Sequence, residues 1–113
     1  MKSKAFVMMF APSLQVSFEG KPWSIVIRRS DGQSHDPFNK YQGKEFTRKD
    51  IKKFIPNFSS LKWKKIELHE AGLDTCEMIA VDKDFRINLI REDKKLTAKE
   101  MLADFLGYLK QGA

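Results

Sequence analysis

The sequence predicts an α+β protein in which an antiparallel β-sheet is accompanied by two short capped helices. Several short apolar or alternating segments end in turn-forming residues, which is typical of strands. Two other segments begin with threonine and carry an acid three positions later, which is the signature of a capped helix. The chain has 113 residues, 42% of them hydrophobic and 32% charged, which suits one domain spanning 1–113 with a modest core.

The first half of the chain contains three predicted strands. Residues 4–10 form a continuous apolar run, which is typical of a buried strand, whereas residues 13–19 alternate strictly. Residues 23–29 also alternate and place Trp23 on the apolar face, so Trp23 is predicted to lie in the core. The inner face of the second strand is predicted to consist of Leu14, Val16 and Phe18.

A short helix is predicted after residue 46 because several signals coincide there. Thr47 is the expected N-cap, Asp50 stands at the third helical position, and Pro56 marks the end. The buried stripe of this helix is predicted to consist of Ile51, Phe54 and Ile55.

The second half of the chain follows the same plan. Residues 62–70 are predicted to form a strand, 71–75 a turn, and 76–81 and 85–91 a hairpin. A final helix then begins after its cap, Thr97, with Glu100 completing the capping box. Its apolar face is predicted to consist of Met101, Leu102, Phe105, Tyr108 and Leu109.

The two predicted helix starts resemble each other in sequence. "KEFTRKDI" (44–51) and "KKLTAKEM" (94–101) match at an offset of 50 residues. The chain could therefore consist of two βββα repeats, 4–57 and 58–113. The alternative is that capping boxes resemble each other for physical reasons alone, and the sequence leaves both interpretations open.

The positive charge is concentrated in one part of the chain. Residues 1–65 contain 14 Lys and Arg against 5 Asp and Glu, whereas residues 66–113 contain 7 against 10. This asymmetry favours a polyanionic partner for the first part, with nucleic acid ahead of an acidic protein or membrane surface. Ordinary solubility charge is the alternative.

Two aromatic features suggest how such a partner could be bound. Residues 33–45 read as a long loop that interleaves Phe38 and Tyr41 with lysines, and Trp63 stands within a run of lysines. Exposed rings would stack on bases while ammonium groups contact phosphates, as in single-strand binding. The alternatives are that Phe38 and Tyr41 anchor the loop, and that the final helix covers the face of Trp63 or Trp63 precedes the regular strand and turns inward.

In "SIVIRR" followed by "KEFTRKDIKKFI", and in "FRINLIR" followed by "KKLTAKEMLADFL", an arginine-bearing strand precedes a lysine and a threonine-capped helix. This order resembles the single-stranded DNA binding fold of the positive cofactor four, whirly and PUR-repeat families. The resemblance implies a curved antiparallel sheet whose strand faces grip single strands. Each unit here reads as three strands, whereas those families have four.

The function predicted is therefore non-enzymatic binding of nucleic acid, single-stranded DNA or RNA before duplex, with weak sequence specificity. The predicted contact residues are Arg28, Arg29, Phe38, Lys40, Tyr41, Lys44, Arg48, Lys49, Lys52, Lys62, Trp63, Lys64 and Lys65. No cofactor, metal ion or catalytic residue is predicted, because no nucleophile motif, phosphate loop or metal-ligand spacing occurs. A small regulatory protein that binds and modulates an acidic protein partner is the alternative.

The remaining predictions concern the setting of the chain. With Cys76 as its only cysteine, it can form no internal disulfide, and it has no apolar run of the roughly 18 residues that a spanning helix needs. A cytoplasmic protein without membrane contact is expected. The sequence also allows a homodimer, because an unpaired strand edge favours pairing with a strand of a second chain.

Overall fold

Six strands form one antiparallel sheet in the computed structural model, which describes residues 3–8, 13–29, 36–70, 73–82, 84–92 and 96–111. The strands are β1 (Ser3–Met8), β2 (Ser13–Phe18), β3 (Trp23–Arg29), β4 (Lys64–Glu70), β5 (Leu73–Val81) and β6 (Phe85–Arg91). The helices are α1 (Asp36–Asn39), α2 (Arg48–Phe54) and α3 (Ala98–Lys110), with a 3₁₀ turn at Phe58–Ser60. The predicted α+β class with an antiparallel sheet is confirmed.

The sheet is built from two three-stranded meanders joined at their third strands. Its order is β1-β2-β3-β6-β5-β4, so β3 and β6 pair at the centre and β1 and β4 lie at the edges. Val26 faces Asn88 at the middle of this central pair. Each meander is followed along the chain by a capped helix, α2 after the first and α3 after the second.

The two units are separated by a different number of positions at their strands and at their helix caps. The third strands begin at Trp23 and Phe85, which are 62 positions apart (85 − 23). The caps Thr47 and Thr97 are only 50 positions apart (97 − 47). The offset of the sequence match therefore aligns the helix starts but not the strands, and a duplication stays a prediction.

The core lies between one face of the sheet and the helices α2 and α3. Leu14, Val16 and Phe18 point into it as predicted. Trp23 is wholly buried at its centre, with ring centroids of Phe18 at 5.4 Å and Phe105 at 5.2 Å. Its indole N–H donates to the Asp104 carboxylate at 2.6 Å. A buried indole needs such a partner, so this bond fixes how α3 lies against β3.

Both predicted helix caps are present. In α3 the Thr97 hydroxyl accepts from the Glu100 N–H at 3.1 Å, and the Glu100 carboxylate accepts from the Thr97 N–H at 3.2 Å. In α2 the Asp50 carboxylate accepts from the Thr47 N–H at 2.8 Å and from the Thr47 hydroxyl at 3.0 Å. These bonds satisfy N–H groups that a helix start otherwise leaves without a partner.

Thr97→Ala should lower the free energy of unfolding by about 1 kcal/mol, because it removes the hydroxyl that accepts from Glu100. The bonds to Thr97 hold the pKa of Glu100 below its ordinary value of 4.5. A lowered native pKa stabilises the fold above the unfolded value and loses that effect as pH falls through the native one. Urea unfolding at neutral pH and at a pH below the native pKa of Glu100 checks this, since the difference between variant and wild type should shrink in acid. Thr97→Ser, which keeps the accepting hydroxyl at the same position, is the control.

The second half differs from its prediction at two boundaries. Strand β4 begins at Lys64, so Trp63 lies just before it, and β5 already begins at Leu73, inside the segment predicted as a turn. β5 extends because Leu73, Asp74 and Thr75 pair with the end of β4. Strand pairing therefore overrides the turn prediction for residues 73–75, while residues 71–72 lie outside the described residues.

Of the segment predicted as a loop, 33–45, residues 33–35 lie outside the described residues, and residues 36–45 are more ordered than expected. They contain α1, and Gln42 forms an isolated parallel bridge with Ala5 on β1. The Gly43 N–H donates to the Ala5 carbonyl at 2.8 Å, and the Ala5 N–H donates to the Lys44 carbonyl at 3.1 Å. The segment thus covers part of one sheet edge, which an exposed strand would otherwise leave open to pairing.

Candidate nucleic-acid interface

The sheet has one face on which none of the described helices packs, which we call the open face. Because side chains alternate along a strand and the strand registers are known, its members follow from the pairings. Its residues with described side chains are Ser13, Gln15, Ser17, Ser24, Val26, Arg28, Lys64, Ile66, Glu77, Ile79, Val81, Arg86, Asn88 and Ile90. The opposite face carries Ile25, Ile27, Ile87 and Leu89 and is buried under the helices.

Cross-strand pairing arranges the open face in three parallel rows. The arginine row consists of Ser13, Arg28, Arg86 and Val81. The middle row consists of Gln15, Val26, Asn88, Ile79 and Lys64. The glutamate row consists of Ser17, Ser24, Ile90, Glu77 and Ile66. Neighbouring rows are two residues apart along each strand, or about 7 Å.

The arginine row places two positive charges side by side on the two central strands, near one end of their pairing. Arg28 and Arg86 are directly opposite each other on β3 and β6, and both are half-buried. Like charges directly opposite destabilise a sheet. Within the described part of the chain, neither guanidinium forms an ion pair. Next to Arg86 in the row, Val81 leaves 62% of its surface exposed.

Two polar atoms on this face lack partners. Arg86 Nε and Asn88 Oδ1 are shielded from solvent and have no hydrogen-bond partner among the described residues. A shielded polar atom without a partner costs about 1–3 kcal/mol. Both side chains therefore gain hydrogen bonds if they turn toward a polar ligand on the open face.

The predicted contact residues divide between different surfaces. On the open face lie Arg28 and Lys64. Register places Arg29 and Lys65 on the helix-covered face, and each of them makes a further interaction. Of the predicted lysines outside the sheet, Lys40, Lys44, Lys49 and Lys62 are exposed, and Lys52 is half-buried on α2. The predicted residues therefore do not form one continuous track.

The prediction that Phe38 and Tyr41 offer stacking surfaces is wrong. Phe38 is wholly buried and Tyr41 is 8% exposed. They pack on Phe54 with centroid distances of 5.8 Å and 5.6 Å. Both rings are anchors that hold their segment against α2, because apolar surface was available there to bury them.

Trp63 also lies on the covered side of the sheet. Its half-buried ring packs edge-on against Phe105 of α3, with centroids 5.9 Å apart. The prediction that Trp63 and Lys65 share a face is correct, but that face is the one under the helix. Trp63 and Arg28 consequently lie on opposite sides, so the predicted stacking track between them is wrong.

Arg48, a further predicted contact, is engaged within the fold. Its guanidinium carbon lies 4.9 Å from the centroid of the Tyr108 ring, and its Nη1 donates to Gln111 at 3.3 Å. Burial raises the pKa of Tyr108 above its ordinary value of 10.0, and Arg48 opposes that shift. Arg48 therefore ties α2 to α3 and has less freedom to bind a ligand than the exposed lysines.

Sequence reasoning missed Arg86, Asn88 and Glu77 as members of a site. The Asn88 amide donates to the Glu77 carboxylate at 2.8 Å across neighbouring strands of the open face. The two meanders share a plan in which β6 corresponds to β3, but that plan does not say that these two strands pair. Only their antiparallel pairing in the sheet brings Arg28 of "SIVIRR" opposite Arg86 of "FRINLIR".

The comparisons add no family assignment. No protein-family model, curated protein or solved structure was found to match the chain. The resemblance to the single-stranded DNA binding fold stays a prediction. Within the described part of the chain, no helix is long and apolar enough to cross a membrane, and no cluster of three or more His, Cys, Asp or Glu side chains is placed to hold a metal ion.

Proposed function

We propose that the chain binds single-stranded nucleic acid on the open face, without catalysing a reaction. The observation that carries this proposal is the pairing of Arg28 with Arg86 on the two central strands of a face on which none of the described helices packs. An incoming phosphate would neutralise two adjacent cations that otherwise repel each other. Guanidinium groups also stack on bases, so they replace the buried aromatic rings in this role.

The distribution of side chains favours a single strand over a duplex. Val26 and Ile90 are both half-buried; Val26 lies on the middle row beside the arginines, and Ile90 lies one row further, on the glutamate row. Unpaired bases can lie on such apolar side chains, whereas a duplex keeps its bases stacked and paired. The rows run across the strands, so we expect the nucleic acid backbone to cross the sheet along the arginine row. Lys64 on the middle row supplies a further charge for a phosphate.

Arg28→Gln with Arg86→Gln should weaken single-strand binding at least about 10-fold at low salt. The reason is that two phosphate contacts are lost, which should also reduce the slope of log K against log salt by about 1.4. Fluorescence anisotropy with a labelled oligonucleotide of about 15 nucleotides and its duplex, at about 50 and 200 mM salt, measures both quantities. Glutamine keeps the strands paired and removes the repulsion, so the double variant should remain folded.

The matched control is Lys44→Gln with Lys49→Gln. It removes the same charge from two exposed lysines outside the sheet, so its effect should be several-fold smaller. Equal losses in both double variants would contradict a binding site on the open face. If the folded wild type binds neither oligonucleotide at low salt, nucleic acid is not the partner. An acidic protein surface would then be the partner to test against the same arginines.

A further inference from the structure

The open face carries an acidic residue, Glu77. A surface that only binds phosphates would not need one. Glu77 lies on the glutamate row, flanked across the strands by Ile66 and Ile90. Its carboxylate is held by the Asn88 amide at 2.8 Å. A carboxylate repels phosphates, so its presence on the same face as two paired arginines calls for a different ligand group.

The paired arginines and Glu77 lie on the two outer rows of the open face, and Lys64 lies on the row between them. Arg28 and Arg86 occupy one row, and Glu77 lies two rows away, which corresponds to about 14 Å along the strands. A nucleotide whose phosphate contacts the arginine row extends its base over the middle row toward the glutamate row. The base would rest on Val26 and Ile90 with its polar edge directed at Glu77.

The Glu77 carboxylate can only accept hydrogen bonds while it is ionised. Asn88 uses one lone pair of one carboxylate oxygen, which leaves acceptor sites on both oxygens. A base that presents an amino group can donate to them. A base that presents a carbonyl oxygen at the same position is repelled. Among pyrimidines, this separates cytosine, with its 4-amino group, from uracil and thymine, with their 4-oxo group.

We propose that Glu77 selects bases that carry an amino group on their pairing edge, and that Asn88 is the residue that positions it. This inference rests on the proposed function, because the base reaches Glu77 only if its phosphate lies on the arginine row. The site would then prefer one class of base but would not recognise a particular order of bases along the strand. Ile66 and Ile90 on either side of Glu77 shield its hydrogen bond from water, which strengthens it.

The test compares deoxycytidine and deoxyuridine oligonucleotides of equal length, about 15 nucleotides. These differ only in the groups at positions 3 and 4 of the base, so their phosphate contacts are the same. Wild type should bind the deoxycytidine oligonucleotide about 10-fold more tightly than the deoxyuridine one. Fluorescence anisotropy at neutral pH measures both affinities.

Glu77→Gln is the decisive variant. Glutamine has the same shape and its carbonyl oxygen still accepts from Asn88, so the strands should stay paired. The variant should lose the preference for cytosine, yet bind deoxyuridine as tightly as wild type or more tightly, since a negative charge is removed. Glu45→Gln is the control, because Glu45 is exposed and lies outside the sheet. It changes the net charge equally and should keep the preference.

The outcomes distinguish this inference from the proposed function. Equal binding of both oligonucleotides by wild type, with strong salt dependence, would overturn the role of Glu77 and leave the arginine site standing. A cytosine preference that survives in Glu77→Gln would overturn it in the same way. If the folded wild type binds neither oligonucleotide at low salt, both proposals are wrong.

Discussion

Trp23→Ala should lower the free energy of unfolding by about 3–5 kcal/mol, a large part of the 5–15 kcal/mol typical of a small domain. Trp23 is wholly buried and touches rings from both β2 and α3. Removing the indole leaves a cavity between the sheet and α3, at the place where the ring contacted both. It also takes from Asp104 its hydrogen bond at 2.6 Å, leaving Lys21 at 3.5 Å as its partner.

Urea unfolding followed by circular dichroism measures this effect. Trp23→Phe separates its two causes, because phenylalanine refills most of the cavity but cannot donate to Asp104. We expect Trp23→Phe to cost about 1–2 kcal/mol. A Trp23→Ala variant within about 1 kcal/mol of wild type would contradict the packing of α3 on β3 described above.

Trp63→Ala provides the comparison for Trp23→Ala. Trp63 is half-buried and packs on Phe105, and its indole nitrogen has no partner among the described residues. Its loss should therefore cost less stability than the loss of Trp23. Since Trp63 lies on the covered side of the sheet, its removal should leave the affinity of the folded protein for single strands unchanged.

Local sequence patterns were sufficient to predict most elements. Alternation identified β2 and β3, and each helix start was identified by a threonine with an acid three positions later. These features depend on residues that are near each other in the chain, so the sequence contains the information directly.

Local patterns could not decide which face of β4 enters the core. Trp63 and Ile66 fall on opposite sides of the strand, and either side could have been buried. The decision depends on β5, where Met78 lies on the covered face with Lys65, and on Phe105 of α3, which receives Trp63. Both contacts join residues far apart in the sequence.

The same limit explains why the arginine row was not predicted. Arg28 and Arg86 come from different meanders and meet only because β3 pairs with β6. Strand order is set by long-range packing, which composition and periodicity do not encode. Charge asymmetry along the chain favoured the lysines of the first half, whereas the structure brings together an arginine from each half.

Phe54→Ala should cost about 3–5 kcal/mol and should act most strongly on the segment that covers the β1 edge. Phe54 is 6% exposed and lies at the centre of an aromatic cluster that is distinct from the rings around Trp23. Its ring centroid is 5.8 Å from Phe38, 5.6 Å from Tyr41, 6.3 Å from Phe46 and 5.2 Å from Phe85. Removing it takes a shared partner from all four rings.

The local consequence follows from the bonds that this segment makes to the sheet. Gly43 and Lys44 hydrogen-bond to Ala5 on β1, and Tyr41 holds them there through its packing on Phe54. In Phe54→Ala we expect faster amide exchange at Ala5 and Gly43, and faster trypsin cleavage after the exposed Lys40 and Lys44. Amide exchange by NMR and mass analysis of the tryptic peptides measure these effects.

Phe54→Leu is the control, because leucine refills most of the volume and should cost less than about 1.5 kcal/mol. Its exchange and cleavage should stay close to wild type. Slow exchange at Ala5 in folded Phe54→Ala would show that the segment is held by something other than this cluster. Since the cluster and the open face lie on opposite sides of the sheet, folded Phe54→Ala should still bind single strands. That separation distinguishes the structural role of Phe38 and Tyr41 from the binding role that their sequence context suggested.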